Sequence, residues 1–138
     1  MPELAIPAIG EVMTPSPVTI DAKATLTRAR QRMEELGIKH LPVMVNGVVE
    51  SVVSDREIKR FTLPGHKAGP GEELLVEDVV PHRAVVADRR DPLDQVLKSM
   101  MESRVEAVIV LDEGELAGIF TETDACNVLV NILSSGRQ

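Results

Sequence analysis

The sequence predicts an α/β (α+β) fold in which a strand–helix–strand–strand–helix unit occurs twice. Short apolar strands and amphipathic helices follow one another in the same order in the two halves. Each half also closes with a similar corner, where an apolar strand ends at a hydroxyl residue that is followed three positions later by an acid. A constant offset of 67 residues, as between Val12 and Val79, relates the halves without a gap. We therefore interpret the chain as an internal duplication.

The offset pairs residues of matching character from the first strand to the last helix. The pairs are Val12 with Val79, Val18 with Val85, Asp21 with Asp88, Leu26 with Leu93, Met33 with Met100, Gly47 with Gly114 and Ser54 with Thr121. Two or three such matches can arise by chance, whereas an ordered series indicates two repeats. We place the first repeat at residues 8–63, a linker at 64–75 and the second repeat at 76–135.

The first repeat starts with an extended, proline-bracketed segment at residues 12–17, after a lead that is too rich in proline to start a helix. Residues 18–20 alternate in character and are predicted as a brief strand. Residues 25–36 carry apolar side chains on one helical face, and Gly37 is the expected stop of that helix.

A hairpin and a second helix complete this repeat. Residues 38–45 and 48–53 are the predicted strands, and Asn46-Gly47 joins them because both central positions of a type I′ turn need a positive φ. Ser54 then opens a helix that Pro64-Gly65 must end.

The second repeat shows the same order. After a short strand comes a helix that Asp91 is expected to cap and that begins at Pro92. Residues 107–111 and 116–120 form the predicted hairpin, and residues 121–133 form the final helix.

Charge and aromatic content argue against a nucleic-acid partner. The 138 residues carry a net charge of −7, with two Phe, no Tyr and no Trp. Nucleic-acid binding needs a basic surface, and single strands need aromatic stacking platforms. An anionic ligand would have to meet a local basic cluster, such as His82-Arg83 or Arg89-Arg90.

The sequence also argues against a membrane partner. No apolar run approaches the roughly 20 residues that a membrane-spanning helix needs, and the N-terminus lacks a signal pattern. The single Cys126 cannot form an internal disulfide, which fits a reducing compartment. We predict a cytoplasmic protein.

The two corners, Ser54-x-x-Glu57 and Thr121-x-x-Asp124, allow two interpretations. The pattern is that of a capping box, in which hydroxyl and acid satisfy the first N–H groups of a helix. The same corner offers a carboxylate for a sugar and a helix N-terminus for a phosphate. Glu57 folds back onto its own cap more easily than a shorter acid. We therefore expect the first corner to be a cap alone and Asp124 to be freer for a ligand.

These segments resemble a tandem pair of CBS domains, also called a Bateman module, over residues 11–133. The resemblance rests on Val12-Met13-Thr14-Pro15, on His40-Leu41-Pro42-Val43, and on the corner segments 52–57 and 118–124. It implies two β-α-β-β-α repeats whose antiparallel sheets pack about a pseudo-two-fold axis, with a cleft on either side. It also implies that adenosine compounds such as AMP, ADP, ATP or S-adenosylmethionine bind there, with no cofactor required.

Carried over by position, the resemblance implies one ligand site and a weaker second one. The acid would hold the ribose hydroxyls, the Ser or Thr would contact phosphate, and adenine would lie beside the leading strand of the opposite repeat. The first site comprises Thr14, Pro17, Val18, Ala107, Gly118, Thr121 and Asp124. The weaker site comprises His40, Pro42, Ser54, Glu57, Arg83 and Val85. Ser51 stands where the second repeat has Gly118, which makes close backbone approach harder at the weaker site.

The remaining polar candidates are assigned structural roles. A half-exposed strand histidine such as His40 is more often structural than a cleft residue. His66 and His82 have no metal-ligand spacing to each other or to Cys126, so no metal site is predicted. Cys126 is expected to be a small buried side chain.

The leading hypothesis is a non-catalytic, energy-sensing regulator that binds an adenosine compound and acts on an unidentified protein target in trans. The alternative is a ligand-free module for dimerisation or protein interaction. An enzyme is disfavoured because no nucleophile–base spacing, acid pair or metal motif appears. The final helix carries a broad apolar face, so we predict a homodimer. Its residues are Ala125, Val128, Leu129, Ile132 and Leu133.

Overall fold

The computed structural model describes residues 5–62, 73–80 and 84–136. Within these ranges the chain forms six helices and seven strands. In chain order they are α1 (Ile9–Val12), β1 (Thr14–Pro15), β2 (Ile20–Asp21), α2 (Leu26–Leu36), β3 (His40–Val45), β4 (Val48–Ser54), α3 (Asp55–Thr62), α4 (Val76–Val79), β5 (Val86–Asp88), α5 (Leu93–Ser103), β6 (Ala107–Asp112), β7 (Glu115–Thr121) and α6 (Glu122–Ser135). The predicted order of strands and helices is confirmed, with the additions of α1 and α4. None of the described helices is long and apolar enough to cross a bilayer.

The chain divides into two compact units. The first unit joins the described residues up to Pro17 to those from Val85 onward, and the second unit runs from Val18 to Ala84. The units therefore do not follow the predicted repeats. Residues 8–17, the leading segment of the first repeat, pack with the second repeat. The repeat and linker boundaries stay predictions, and residues 63–72, including the expected stop at Pro64-Gly65, lie outside the described residues.

Each unit contains one sheet. In the first unit the strand order is β1-β7-β6-β5, with β7 antiparallel to both neighbours and β5 parallel to β6. In the second unit the order is β2-β3-β4, with β2 parallel to β3 and β3 antiparallel to β4. Both sheets are thus mixed, and the expectation of two antiparallel sheets is wrong. The helix between β5 and β6, like that between β2 and β3, supplies the crossover that parallel neighbours need.

Each unit has its own apolar core, and each core includes a short helix from the other repeat. Ile9 of α1 is fully buried in the first unit against the α5 side chains Leu93, Val96 and Met100. Val76 of α4, which the 67-residue offset pairs with Ile9, is fully buried in the second unit. The second core is completed by Ile20, Ala22, Leu26, Ala29, Met33, Leu41, Val43, Val53, Ile58 and Val79.

The backbone repeats the duplication seen in the sequence. The residue after α2 is Gly37 at φ 65°, and its counterpart after α5 is Arg104 at φ 55°. Both hairpin turns place two residues at positive φ, Asn46-Gly47 at 49° and 80° and Glu113-Gly114 at 50° and 83°. The strand register shifts at Val43/Met44 in one hairpin and at Val110/Leu111 in the other, again 67 residues apart. The internal duplication is therefore present in the backbone as well as in the amino-acid sequence.

Helix α1 was not expected in so proline-rich a lead. The backbone N–H groups of Ile9 and Gly10 donate to the carbonyl oxygens of Asp91 and Arg89, both at 2.9 Å. The Glu11 carboxylate accepts the N–H of Ala8 at 2.8 Å. Because these partners satisfy the first N–H groups, a single helical turn is stable here.

Two further expectations are wrong. Asp91 does not cap α5, because its carboxylate turns back to accept the Asp88 N–H at 3.0 Å, and Pro92 takes the cap position without a side-chain bond. Cys126 is exposed rather than buried. It lies on α6, none of whose residues is fully buried; Ala125 and Val128 pack only partly against the first core.

The second hairpin turn offers a test of backbone strain. Glu113 occupies the left-handed region, which is costly for ordinary side chains and easier for Asn. We expect Glu113→Asn to raise the free energy of unfolding by about 1 kcal/mol, measured by urea unfolding followed by circular dichroism. The reverse change at the matched position, Asn46→Glu, should lower it. Equal effects of the same sign would contradict the strain argument.

Candidate functional site

The corner between β7 and α6 is a closed capping box. Thr121 is the N-cap residue in extended conformation, and its N–H donates to Asp124 Oδ2 at 2.9 Å. The Thr121 hydroxyl donates to the same oxygen at 3.3 Å and accepts the Asp124 N–H at 3.4 Å. The expectation that the shorter acid would leave the box open is wrong, because an extended cap residue brings its N–H within reach of Asp124.

A second segment contacts the same carboxylate. The Thr14 hydroxyl, on β1, donates to Asp124 Oδ1 at 3.1 Å. β1 is held beside β7 by the pairing of Thr14 with Ile119 and of Pro15 with Gly118. Just after β1, the N–H of Ser16 donates to the carbonyl of Ala117 at 3.0 Å. The expected meeting of the leading segment with the Asp124 corner is therefore found at Thr14.

Gly118 makes this approach possible. A Cβ atom built on Gly118 would lie 2.7 Å from the Thr14 carbonyl oxygen and would also overlap the Met13 side chain. The absence of a side chain thus admits the leading segment itself. Ser51, the counterpart of Gly118, is buried.

The other residues of the predicted first site are spread over both units. Ala107 is buried and lies opposite Thr121 in the β6–β7 pairing. Pro17 is half-buried at the end of the leading segment. Val18 is half-buried and belongs to the second unit. The first unit therefore assembles Thr14, Gly118, Thr121, Asp124 and Ala107 in one corner.

The Ser54 corner in the second unit is also a capping box, as expected. The N–H and the hydroxyl of Ser54 donate to Glu57 Oε1 at 3.0 and 2.9 Å, and the Glu57 N–H donates to Ser54 Oγ at 3.1 Å. His40 lies opposite Ser54 in the β3–β4 pairing, and Pro42 is fully buried.

The last two residues of the predicted weaker site are Arg83 and Val85. Arg83 lies outside the described residues. Val85 belongs to the first unit, where it lines a cavity of about 210 Å³ between β5 and α5, together with Asp91, Gln95 and Ser99. Of the predicted weaker site, the second unit thus assembles the Ser54–Glu57 box and His40.

Sequence reasoning missed how the first N–H of each corner helix is used. The Glu122 N–H donates to the Glu106 carbonyl at 3.1 Å, and the Asp55 N–H donates to the Lys39 carbonyl at 2.8 Å. The two carbonyls, of Lys39 and Glu106, are again 67 residues apart. Given either of these hydrogen bonds, the repeat offset would have predicted the other. The helix N-termini consequently offer fewer free N–H groups to an anion than the sequence suggests.

The basic cluster at Arg89-Arg90 is engaged elsewhere. Arg89 pairs with Asp112 at 3.1 Å, and Arg90 lies 3.5 Å from Asp112 and 3.8 Å from Asp88. The other candidate cluster, His82-Arg83, lies outside the described residues. In the part of the chain that the structure describes, no group of three His, Cys, Asp or Glu side chains could hold a metal ion.

Comparison with known proteins identifies the repeats. The sequence model of the CBS domain matches this chain at residues 9–63 and 76–131. The CBS domain-containing protein YhcV of Bacillus subtilis is 22% identical over 125 residues, which cover 90% of this chain and 87% of YhcV.

Two solved structures share the fold. The CBS domain pair of protein MJ0100, in complex with 5′-methylthioadenosine and S-adenosyl-L-methionine, superposes with a TM-score of 0.80 at 18% identity, over 92% of this chain and 98% of that chain. CBSX2 in complex with AMP superposes with a TM-score of 0.72 at 19% identity, over 91% and 98% of the two chains.

The packing at Gly118 can be tested directly. We expect Gly118→Ala to lower the free energy of unfolding by about 1–3 kcal/mol, because the backbone carbonyl of Thr14 cannot move without breaking the β1–β7 pairing. Thermal and urea unfolding by circular dichroism measures this loss. Gly136→Ala is the control, since the nearest atom to its added Cβ outside the neighbouring residues would be the Leu133 carbonyl oxygen at 3.6 Å. A Gly118→Ala variant as stable as the Gly136→Ala variant would show that the segment does not pack this closely.

Proposed function

This chain belongs to the CBS domain family, and we propose that it is a non-catalytic regulatory protein that binds an adenosine compound at the Asp124 corner. The observation that carries the proposal is the carboxylate of Asp124 itself. Oδ2 is fixed by the capping box, and Oδ1 faces the hydroxyl of the neighbouring strand. A ribose hydroxyl is chemically equivalent to that donor.

The fold relatives support the ligand class. MJ0100 and CBSX2 are bound to 5′-methylthioadenosine, S-adenosyl-L-methionine and AMP. These ligands share adenosine and differ in what replaces or extends the 5′-hydroxyl. The feature that this chain must recognise is therefore the nucleoside, and a carboxylate that accepts hydroxyl donors is suited to its sugar.

Charge at the corner sets an expected order among ligands. The first turn of α6 carries two acids, Glu122 and Asp124, and no basic residue. Each added phosphate increases the repulsion from these carboxylates. Within the proposed class, AMP and S-adenosylmethionine therefore fit this corner better than ADP or ATP.

Regulation requires that the ligand bind two states of the protein differently. The leading segment that supplies Thr14 ends at Pro17, where the chain passes from the first unit to the second. A ligand that binds Asp124 beside Thr14 would act on a segment that connects the two units. We propose that a separate protein target recognises the state of the chain that the ligand favours.

The two corners provide a matched test. We expect Asp124→Ala to weaken AMP binding about tenfold to a hundredfold, because a hydrogen bond to a charged group is worth roughly 1.5–3 kcal/mol. Glu57→Ala should leave AMP affinity within about twofold. Each variant also loses a capping carboxylate and should be destabilised by about 1 kcal/mol. Isothermal titration calorimetry at a temperature well below both unfolding transitions separates binding from folding.

The parent chain is first titrated with AMP, ADP, ATP and S-adenosylmethionine. Binding of any of them should raise the melting temperature, since a ligand that binds only the native state stabilises it. If none binds at millimolar concentration, the proposed function is wrong. If Glu57→Ala alone loses affinity, the ligand uses the other corner.

A second candidate function, an interaction module without a small ligand, is favoured by the outer surface of α6. Leu129, Val130, Ile132 and Leu133 are between 42% and 62% exposed there. A contiguous apolar helix face of this kind is typical of a protein–protein contact. A homodimer through this face agrees with either function.

We expect the chain to sediment as a dimer at micromolar concentration, and Leu133→Glu to shift it to a monomer because a charge would be buried in the contact. Analytical ultracentrifugation measures both states. Asn131→Glu, at an exposed position that the helical period places opposite the four apolar residues, is the control and should stay dimeric. A monomeric parent chain would refute the homodimer.

A further inference from the structure

The two oxygens of the Asp124 carboxylate have different hydrogen-bond partners. Oδ2 accepts the N–H and the hydroxyl of Thr121, at 2.9 and 3.3 Å. Oδ1 accepts the hydroxyl of Thr14 at 3.1 Å. A carboxylate offers about four lone-pair positions, two on each oxygen. Three of these four are therefore already used by the protein.

A ribose presents two adjacent hydroxyl groups to a carboxylate. Because both lone-pair positions of Oδ2 are used by the helix cap, the ribose hydroxyls have to donate to Oδ1. The Thr14 hydroxyl occupies part of that oxygen, so it competes with a ribose for the same acceptor. Release of Thr14 costs little in desolvation, because its side chain is exposed and its hydroxyl can bind water instead.

We propose that Thr14 is a specificity-determining residue of this corner, which holds Asp124 Oδ1 until a ribose hydroxyl takes its place. The inference rests on the proposed function. It predicts that loss of the Thr14 hydroxyl strengthens ligand binding, whereas loss of an ordinary ligand contact weakens it. A ligand that displaces the Thr14 hydroxyl breaks its hydrogen bond to Asp124 Oδ1. Only a ligand with ribose hydroxyls offers a new hydrogen bond to Oδ1 in its place.

The surrounding backbone suits such an exchange. β1 is held to β7 by backbone pairing at Thr14 and Pro15, so the Thr14 side chain can turn without the strand leaving the sheet. Threonine has three staggered χ1 positions, and its hydroxyl leaves Asp124 by rotation between them. In the sequence, the residue 67 positions after Thr14 is Pro81, which has no hydroxyl to donate. The sequence equivalent of Thr14 in the second repeat therefore lacks a competing donor.

The test compares variants that keep or remove the hydroxyl. Isothermal titration calorimetry is performed with AMP on the parent chain, Thr14→Val, Thr14→Ala and Thr14→Ser. We expect Thr14→Val and Thr14→Ala to bind AMP about threefold to tenfold more tightly, since one competing hydrogen bond is removed. Thr14→Ser keeps the hydroxyl and should bind like the parent chain.

A ligand control separates competition from a general effect on the site. The 2′,3′-dideoxy analogue of AMP cannot replace the Thr14 hydroxyl, so it should bind the parent and Thr14→Val with equal affinity. Unchanged or weaker AMP binding by Thr14→Val and Thr14→Ala would overturn the inference while leaving the proposed function intact. Equal tightening for AMP and its dideoxy analogue would also overturn it. Failure of AMP and the other adenosine compounds to bind the parent and every variant would overturn both.

Discussion

The structure depends on an exchange of leading segments between the two repeats. Ile9 and Val76 have no exposed surface, and each fills the core of a unit formed mainly by the other repeat. Full burial of one such side chain contributes about 1.5–3 kcal/mol, and the backbone of α1 adds hydrogen bonds to Arg89 and Asp91. Neither core is complete with the residues of its own repeat. The repeats are therefore not two independent domains in series, because each core contains residues of both.

The same exchange builds the candidate site. Thr14 and Asp124 are 110 residues apart in the chain, and they meet only because the leading segment of one repeat lies on the last strand of the other. Gly118 is the local condition for this contact, since any side chain there would overlap the Thr14 carbonyl and Met13. The packing of the leading segment into the core of the first unit thus also brings Thr14 to Asp124.

Sequence patterns with short range were sufficient for most of the fold. The Asn46-Gly47 turn, the apolar helix faces and the 67-residue offset depend on neighbouring residues or on direct comparison of the halves. Two failed expectations have different causes. Helix α1 is stabilised by carbonyls 80 or so residues away, whereas the Asp91 carboxylate accepts the nearby Asp88 N–H instead of capping α5. Exposure of Cys126 could not be foreseen because periodicity identifies an apolar face and not what covers it. The Thr14–Asp124 contact followed only from the family resemblance.

At each corner the hydrogen bonds from the cap residue to the acid fall on one carboxylate oxygen, so capping does not by itself exclude ligand recognition by the other oxygen. At Glu57 both side-chain cap bonds fall on Oε1. At Asp124 the cap bonds fall on Oδ2, and Oδ1 is directed to β1. The cap therefore fixes the plane of the Asp124 carboxylate, which presents Oδ1 in one orientation. Stability and the proposed recognition are then separable, because the donor on β1 bonds to Oδ1, whereas the two bonds to Oδ2 hold the helix cap.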